Sequence, residues 1–305
     1  AVMNANGKLD NLTDTRGLTF YNLGTSDADK QYLNTCNEVL WYSSIGASSN
    51  RESRMFPPSL LGAGEINPSQ NLVNCFPDKN GYPITHSSTV YKSAEPYANR
   101  DPRLDLYIYH NGSKVGGANN VTLNMITGDD KIAAKTTSTR TGYYMRKLLD
   151  EAVSLKVGSV ITTPHYHVRM RYTETLLNFA EAANEAVGPD VEIGGFSARQ
   201  VINALRKRAG ITSEVYVNSL DQTGLAELIK NERRIELCFE GFRFWDLRRW
   251  MDLSRMNESV KGYDASTMRE IPSVEVRKYE DYMIYAPIPY TETQKYDLIQ
   301  NKGWE

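Results

Sequence analysis

The sequence has little of what usually marks a catalytic or metal centre, beginning with cysteine. Its three cysteines, Cys36, Cys75 and Cys238, are few, odd in number and far apart in the chain. Such spacing argues against both a disulfide framework and a zinc site. Cys238 falls within a predicted helix, where we expect it to be an ordinary core residue.

Long apolar runs are absent as well. No stretch reaches the roughly 18 consecutive apolar residues that a membrane-spanning helix needs. Residues 1–20 also lack the charged-then-apolar pattern of a secretion signal. A signal removed upstream of residue 1 remains compatible with this sequence.

Neither charge sign is in excess, and the familiar catalytic motifs are missing. With 35 Lys and Arg against 37 Asp and Glu, the net charge is −2, so no basic footprint indicates a nucleic-acid partner. There is no nucleophile elbow, P-loop, dinucleotide fingerprint or zinc-protease motif. The glycines of residues 62–65 lack a flanking strand and helix. We therefore find no positive evidence for catalysis or for a cofactor.

Metal ligands are sparse too. His165 and His167 share one face of a predicted strand, but no third ligand follows at a recognisable spacing. Asp129 and Asp130 form an acidic pair that calcium would accept, although such a pair in a loop is more often simply solvated. We predict no metal site.

What the chain does have is a strongly patterned segment at residues 225–252. Its first half predicts one long helix, and Gly241 fits the left-handed position after a helix end. Ser219 and Gln222 have the spacing of a capping box just upstream. From Phe242 to Met251 apolar residues occur on nearly every side, so we expect this second helix to be buried. The stripe on the first helix consists of Leu225, Leu228, Ile229, Glu232, Ile235, Glu236 and Phe239.

Two carboxylates lie on that apolar stripe, one helical turn apart. An unpaired buried carboxylate is very costly, so Glu232 and Glu236 are expected to pair with guanidinium groups. One interpretation is a catalytic carboxylate pair of the glycosidase type. The other, which the local excess of arginine favours, is a set of structural ion pairs that lock helices together. The nearby arginines are Arg233, Arg234, Arg243, Arg248 and Arg249.

Two further helices are predicted before this segment. Residues 171–187 carry an apolar stripe that Gly188 and Pro189 stop, and Ser197 caps a second helix that Gly210 closes. Helices joined by short loops, with small alanines that permit close approach, indicate hairpins of the tetratricopeptide kind.

The remaining segments are predicted from turn and alternation signals. Residues 31–43 suit a strand or a short helix, and residues 43–66, 111–141 and 253–281 suit loops. A short helix follows Pro68, and a short terminal helix follows a capping box of Thr291 and Gln294. The predicted strands are Leu18–Leu23, Leu104–Tyr109, Gly142–Leu149, Val157–Ile161, His165–Met170 and Tyr282–Pro289.

Several of these segments resemble, in the same order, the motifs of the SusD/RagB family of outer-membrane nutrient-binding lipoproteins. The core match is LIKNERRIELCFEGFRFWDLRRW at residues 228–250. The others are INPSQNLVNCFPDKNGYPI, YANRDPRLDLYI, TGYYMRKLLD, RYTETLLNFAEAANEA and YAPIPYTETQKYDLIQNKGW. Several motifs in the same order identify a family more specifically than any single motif does.

The resemblance implies a SusD-like fold over residues 1–305. This fold class is mainly α, with tetratricopeptide-like helix hairpins and a loop-rich region that contains short strands. The chain would correspond to the C-terminal portion of such a protein. Residues 1–165 would be a loop-rich ligand-binding region, residues 166–252 the helical core, and residues 253–305 a C-terminal loop, strand and helix. It further implies a non-catalytic protein, lipid-anchored at the extracellular face of the outer membrane. Such a protein binds polysaccharide or oligosaccharide, in the manner of a starch-utilisation system, for a SusC-like TonB-dependent transporter. A peptide-binding, protein-binding or adhesive role remains an alternative, as does, less favoured, a glycoside hydrolase using Glu232 and Glu236.

The family resemblance does not transfer ligand contacts, so we choose these from chemistry. A sugar ring presents an apolar face and a rim of hydroxyls, and it requires an exposed aromatic ring with polar groups around it. Trp41, Tyr42, Arg54 and Phe56 offer that combination in or beside one predicted loop. For Trp41 the alternative is packing beneath the loop.

A weaker second choice is Tyr107 and Tyr109, which would share a strand face with Asp105. Trp245 and Trp250 lie in the core motif and are expected to be buried. Asp246 is expected to form a structural pair with Arg243 or Arg249.

Overall fold

The structure, a computed structural model, describes Leu9, Leu12, residues 15–21 and residues 38–305. Residues 15–19 form a 3-10 helix, so the strand predicted at Leu18–Leu23 is wrong in its first part. Phe20 and Tyr21 form a turn, and residues 22–23 lie outside the described residues, as does Cys36.

Helices make up 32% of the structure and strands 16%, which confirms the mainly α class. In chain order the α-helices are α1 (Asn50–Met55), α2 (Gln70–Val73), α3 (Arg103–Tyr107), α4 (Tyr172–Val187), α5 (Ala198–Arg208), α6 (Val215–Asn218), α7 (Gln222–Glu236), α8 (Phe242–Arg249), α9 (Leu253–Met256) and α10 (Tyr290–Thr293). Within the part of the chain that is described, none of the helices combines the length and apolarity needed to cross a bilayer.

The strands pair into small antiparallel sheets of two strands each, β1 with β6, β2 with β5, β3 with β4 and β7 with β8. Their bounds are β1 (Val39–Ser48), β2 (Ile108–Tyr109), β3 (Lys114–Val115), β4 (Val121–Thr122), β5 (Tyr144–Met145), β6 (Thr163–Arg171), β7 (Val260–Asp264) and β8 (Arg269–Glu275).

Helices α4, α5 and α7 enclose the largest apolar core, as their stripes predict. Their inward positions, such as Leu176, Val201 and Ile229, are fully buried. The Ser197 hydroxyl accepts from the Gln200 amide and the Gln200 side chain accepts from Ser197 in return, so the predicted cap of α5 is present as a full capping box. Two smaller cores lie beneath the loop-rich region.

The predicted break after α7 is confirmed, but two details differ. Gly241 has a φ of 88°, the left-handed conformation that glycine adopts without strain, but it directly precedes α8, because α7 already ends at Glu236. The helix is capped by the Asp221 carboxylate, which accepts from the Gly224 amide at 2.8 Å, and not by Ser219. An aspartate directly before the first helical turn also favours the positive end of the helix dipole.

The expectation that helix α8 is buried is wrong. Only Asp246 and Leu247 are buried along it, whereas Trp245 is 63% exposed. The reason lies in Asp246, which Arg233 and Arg249 hold at 3.0 and 2.9 Å. Those ion pairs fix which face of the helix turns inward.

The loop-rich region holds more regular structure than predicted. Residues 43–66 are not one long loop, because β1 extends to Ser48 and α1 follows it. The strand predicted at Leu104–Tyr109 is mostly helix α3, with β2 after it. Asp101 explains this, since its side chain accepts from the Arg103 amide at 2.9 Å and Pro102 favours the first turn.

The strand predicted at Gly142–Leu149 is reduced to β5, and Val157–Ile161 forms only an isolated bridge between Ser154 and Ile161. The hairpin of β7 and β8 occupies a segment predicted to be loop. Most of its residues are partly or fully exposed on both faces, so no apolar alternation marks it. Residues 281–284 form a 3-10 helix where a strand was predicted, and α10 starts after Pro289 without the predicted Thr291 cap.

Candidate functional site

Glu232 and Glu236 lie at the centre of a buried ion network that joins the helices to the loop-rich region. Arg103 of α3 bonds both carboxylates, with 2.9 Å to Glu236. Glu236 also receives Arg208 from the end of α5 at 2.7 Å and Arg171 from the end of β6 at 3.2 Å. Both carboxylates and the Arg103 side chain are fully buried.

The same cations contact further acids around this centre. Arg171 and Arg208 each bond Glu38 at 2.8 Å. Arg171 and Lys147 each bond Glu240, at 2.7 and 2.6 Å. Every guanidinium of Arg103, Arg171 and Arg208 therefore contacts at least two carboxylates. We call these residues, with Glu38, Glu232, Glu236 and Glu240, the buried ion network.

The geometry supports the structural interpretation of the two glutamates. Burial alone would raise the pKa of Glu236, but Arg208, Arg171 and Arg103 outweigh it and hold the pKa well below its ordinary value. An acid catalyst needs a raised pKa and access to substrate, and Glu236 has neither. The prediction of guanidinium partners is confirmed, although the partners come from distant segments and not from Arg233, Arg234, Arg243, Arg248 or Arg249.

The predicted ligand residue Trp41 lies on β1, in the ribbon that β1 and β6 form. Its indole is 65% exposed, which excludes the alternative of packing beneath a loop. The pairing register shifts on both sides of Trp41, and such irregularities redirect side chains. Tyr42, the next residue, turns inward and packs edge-on against Tyr166 with ring centroids 5.5 Å apart.

The other two predicted ligand residues are placed differently. The side chain of Arg54 is exposed, and its guanidinium bonds Glu65 at 2.6 Å. Phe56 is fully buried in a core cluster, so it is not available to a ligand. The reason is that the chain folds back over Phe56, whose carbonyl accepts from the Gly64 amide at 3.0 Å.

Among the described residues, no hydrogen bond or ring contact connects Trp41 and Tyr42 with Arg54 and Phe56. The second-choice tyrosines are wrong as well, because Tyr107 and Tyr109 are both fully buried.

A cavity of about 360 Å³ lies beside the β1–β6 ribbon. Met170 forms part of its wall and is the cross-strand partner of Trp41. Tyr166 and Val168 of β6 and Phe242 at the start of α8 provide further apolar wall. Trp41 thus stands next to a concave surface, which is the usual setting of a ligand site.

Polar groups that suit hydroxyl recognition also line this cavity. Arg51, His167, Arg169 and Glu174 face it. Burial raises the pKa of Glu174, whose carboxyl forms no hydrogen bond or ion pair with the described residues. A carboxyl and a guanidinium beside an aromatic side chain can hold a sugar ring from its face and its rim. We call Trp41, Met170, Arg169 and Glu174 the ribbon site.

Sequence reasoning missed the β6 part of the ribbon site. The strand itself was recognised from its alternation, but nothing in the sequence indicates that it pairs with β1, which lies more than a hundred residues earlier. The alternation of Tyr166 and Val168 indicates that one face of β6 packs inward, but it does not identify the strand that pairs with β6.

The tryptophans of the core motif differ from each other. Trp245 is exposed, which contradicts its expected burial, and Arg248 lies 5.3 Å from its ring. Trp250 is partly buried, and its indole N–H donates to Glu181 at 2.7 Å. The predicted pair of Asp246 and Arg249 is confirmed at 2.9 Å.

Three of the four residues considered as metal ligands, His165, Asp129 and Asp130, have protein partners. His165 is buried and bonds the Glu52 carboxylate at 3.0 Å, whereas His167 is exposed. Asp130 accepts from the Ser59 amide at 2.9 Å and Asp129 pairs with Lys135 at 2.6 Å. Cys238 is buried, and burial raises its pKa to about 12, so its thiol stays protonated.

Comparison with known proteins decides the family. The model of the SusD family matches residues 28–304. The chain belongs to the SusD family. Its tetratricopeptide-like helices, small sheets and collinear motifs are those expected of a SusD-family protein.

Curated relatives of this SusD-family protein include two SusD-like proteins of Formosa agariphila. The first is 30% identical over 143 residues, which is 45% of this chain and 26% of the relative. The second is 35% identical over 125 residues, which is 41% of this chain and 21% of the relative. The aligned part is therefore about a quarter of each relative's length.

Solved structures share the fold. A SusD-like protein of Bacteroides fragilis NCTC 9343 superposes with a TM-score of 0.74 at 24% identity, covering 96% of this chain and 58% of that one. A SusD-like carbohydrate-binding protein of the same organism gives 0.68 at 23% identity, covering 91% and 56%. The chain thus spans little more than half the length of these structures.

Proposed function

We propose that this SusD-family protein is a non-catalytic receptor for polysaccharide or oligosaccharide. In this proposal it is lipid-anchored at the extracellular face of the outer membrane, where it delivers its ligand to a SusC-like TonB-dependent transporter. Family membership supports the general role, as does the structural neighbour from Bacteroides fragilis that is described as a carbohydrate-binding protein.

The observation that carries the proposal is the exposed indole of Trp41. An exposed aromatic ring offers a flat apolar face to a ligand, and a neighbouring concave surface with a few polar groups makes that face specific. Trp41 is 65% exposed, and its cross-strand partner Met170 lies on the wall of a cavity that Arg169 and Glu174 also line. This is the arrangement of apolar face and polar rim that a sugar ring requires.

The test is isothermal titration of the protein with a panel of soluble polysaccharides, oligosaccharides and peptides. We expect binding to one glycan class, and Trp41→Ala should weaken it about tenfold or more, or about 1.4 kcal/mol, as for the anchors of other binding sites. The melting temperature of Trp41→Ala should stay close to that of the wild type, because the indole is mostly in water.

The matched control is Trp245→Ala. Trp245 is exposed to nearly the same extent as Trp41, at 63%, but it lies on α8 and not on the β1–β6 ribbon. Loss of binding in both variants, or in neither, would overturn the ribbon site. Binding of a peptide and of no glycan would replace the proposal by the peptide-binding alternative.

A further inference from the structure

A second cavity, on the opposite side of α7 from the helical core, has four arginines in its lining. It has a volume of about 190 Å³, several times the roughly 30 Å³ share of one water molecule. An adjoining cavity of about 130 Å³ shares Arg234, Arg243 and Arg255 with it. Arg277 completes the lining of the larger one. We call these four residues the arginine cavity.

Positive charge dominates this surface. Against the four arginines, the larger cavity has one acidic side chain in its lining, that of Glu258, which is exposed. The smaller cavity adds Lys230 and Glu227, and these two pair with each other at 2.8 Å. The lining therefore keeps an excess of positive charge after all its ion pairs are counted.

The arginines differ in what they contact. Arg255 bonds Glu227 at 3.2 Å and Asp252 at 3.3 Å. Among the residues that the structure describes, Arg234, Arg243 and Arg277 form no hydrogen bond and no ion pair. Arg234 and Arg243 are nevertheless only partly exposed, so they have lost part of their hydration without gaining a protein partner.

The electrostatics agree with this geometry. Burial, together with the charges of Arg234 and Arg255, lowers the pKa of Arg243 to about 10. The guanidinium is still charged at neutral pH, and its neighbours repel it. An anion placed among these groups would remove that repulsion and supply the missing hydrogen-bond acceptors.

We propose that the arginine cavity binds an oxyanion, a sulfate or carboxylate group, between Arg234 and Arg243 with Arg277 at the mouth. The planar guanidinium of arginine matches two oxygens of such a group at once. The group is either a free inorganic ion or a substituent of a larger ligand, since the cavity opens to solvent at Glu258 and Arg277. This site is separate from the ribbon site and does not depend on it.

The first experiment is thermal unfolding of the 305-residue chain in sodium sulfate and in sodium chloride at matched ionic strength. A bound ion raises the melting temperature with a saturating dependence on its concentration, whereas the general salting effect of sulfate does not saturate. We expect the saturating component in the wild type and its loss in Arg243→Gln. Arg248→Gln is the matched control, because Arg248 lies on the same helix outside the lining.

Three further variants keep the test decisive. If Arg243→Gln does not fold, Arg234→Gln and the exposed Arg277→Gln replace it, and each should raise the half-saturating sulfate concentration at least tenfold. Glu258→Gln removes the one acid of the larger lining, so it should lower that concentration. Equal saturation in the wild type and in all lining variants, or no saturating component in the wild type, would overturn the proposal.

The second experiment distinguishes the sources of the oxyanion. Calorimetric titration compares a sulfated or uronic-acid oligosaccharide with its desulfated or carboxyl-reduced form. Tighter binding of the charged form, with the difference abolished in Arg243→Gln, assigns the group to a glycan. Saturation by inorganic sulfate without any such difference assigns a free ion. Neither result alters the effect of Trp41→Ala on glycan binding. The arginine-cavity proposal and the ribbon-site proposal can therefore fail independently of each other.

Discussion

Two clusters of arginine on opposite sides of α7 use the same chemistry in contrary ways. In the buried ion network each guanidinium of Arg103, Arg171 and Arg208 contacts two or more carboxylates, with almost no exposure to water. In the arginine cavity, Arg234 and Arg243 face a solvent-connected space and contact no carboxylate among the described residues. Full pairing indicates a structural role, whereas partial burial without pairing indicates a place for an outside anion.

The largest test of this comparison is Glu236→Gln. Removal of one partner from a buried ion pair typically costs about 3–5 kcal/mol, because the opposing charges are left unpaired. We expect a loss of that size in the free energy of unfolding, measured by urea denaturation. Glu227→Gln is the control, since Glu227 is about half exposed and its pairs lie near the surface. A loss below about 1 kcal/mol for Glu236→Gln would mean that the network is not the structural centre.

Acid should reduce the stability that the buried ion network contributes to the folded protein. The pKa of Glu236 is held below its ordinary value of 4.5 in the folded protein. A carboxyl with a lowered folded pKa contributes stability above its unfolded pKa and loses it as the pH falls. We therefore expect the free energy of unfolding to decline as the pH falls below about 4.5. The measurement is urea denaturation from pH 7 to pH 3.

The Glu236→Gln variant provides the contrast for that series. Its free energy of unfolding should change less steeply with pH over the same range, because one titrating carboxylate has been removed. An identical slope in the wild type and in Glu236→Gln would assign the acid sensitivity to other groups.

A small increase in stability, in contrast to the losses above, is expected from a substitution in the arginine cavity on the other side of α7. Arg243→Gln, in chloride buffer without sulfate, should raise the melting temperature slightly, because it removes a partly buried charge that Arg234 and Arg255 repel. Arg208→Gln, in the buried ion network, should lower it strongly. Melting temperatures that fall in both variants would show that Arg243 has a protein partner in solution, and the contrast between the two clusters would not hold.

The smallest effect is expected at a surface pair. Arg54 and Glu65 are well exposed and bond each other at 2.6 Å, and such pairs contribute little because water and salt screen them. Arg54→Gln should leave the melting temperature unchanged within error. A clear loss would show that exposure is a poor guide to the energetic weight of ion pairs in this protein.

The sequence predicted the helical half of the fold well, because its signals are local. The stripe of α7, the Ser197 capping box and the left-handed Gly241 all depend on residues within one or two turns of each other. Pairing of β1 with β6 and of Arg103 with Glu236 depends on distant segments, so periodicity carries no information about it.

The candidate site was predicted less well for a related reason. Exposure of an aromatic residue is decided by what packs on it, and the sequence does not show that. Phe56 was expected to meet ligand and is buried, whereas Trp245 was expected in the core and is exposed. Trp41 remains a prediction with a suitable setting, because its strand partner borders a cavity.

The contacts of the buried ion network also bear on the order in which the protein assembles. Arg208 bonds Glu38 across 170 residues of chain, and Arg103 bonds Glu236 across 133. Loop-closure entropy makes such distant contacts late events in folding. During synthesis, Arg103 and Arg171 emerge long before Glu236 does. Unpaired guanidinium groups resist burial, so we expect Arg103 and Arg171 to become buried only after α7, which carries Glu236, has been made.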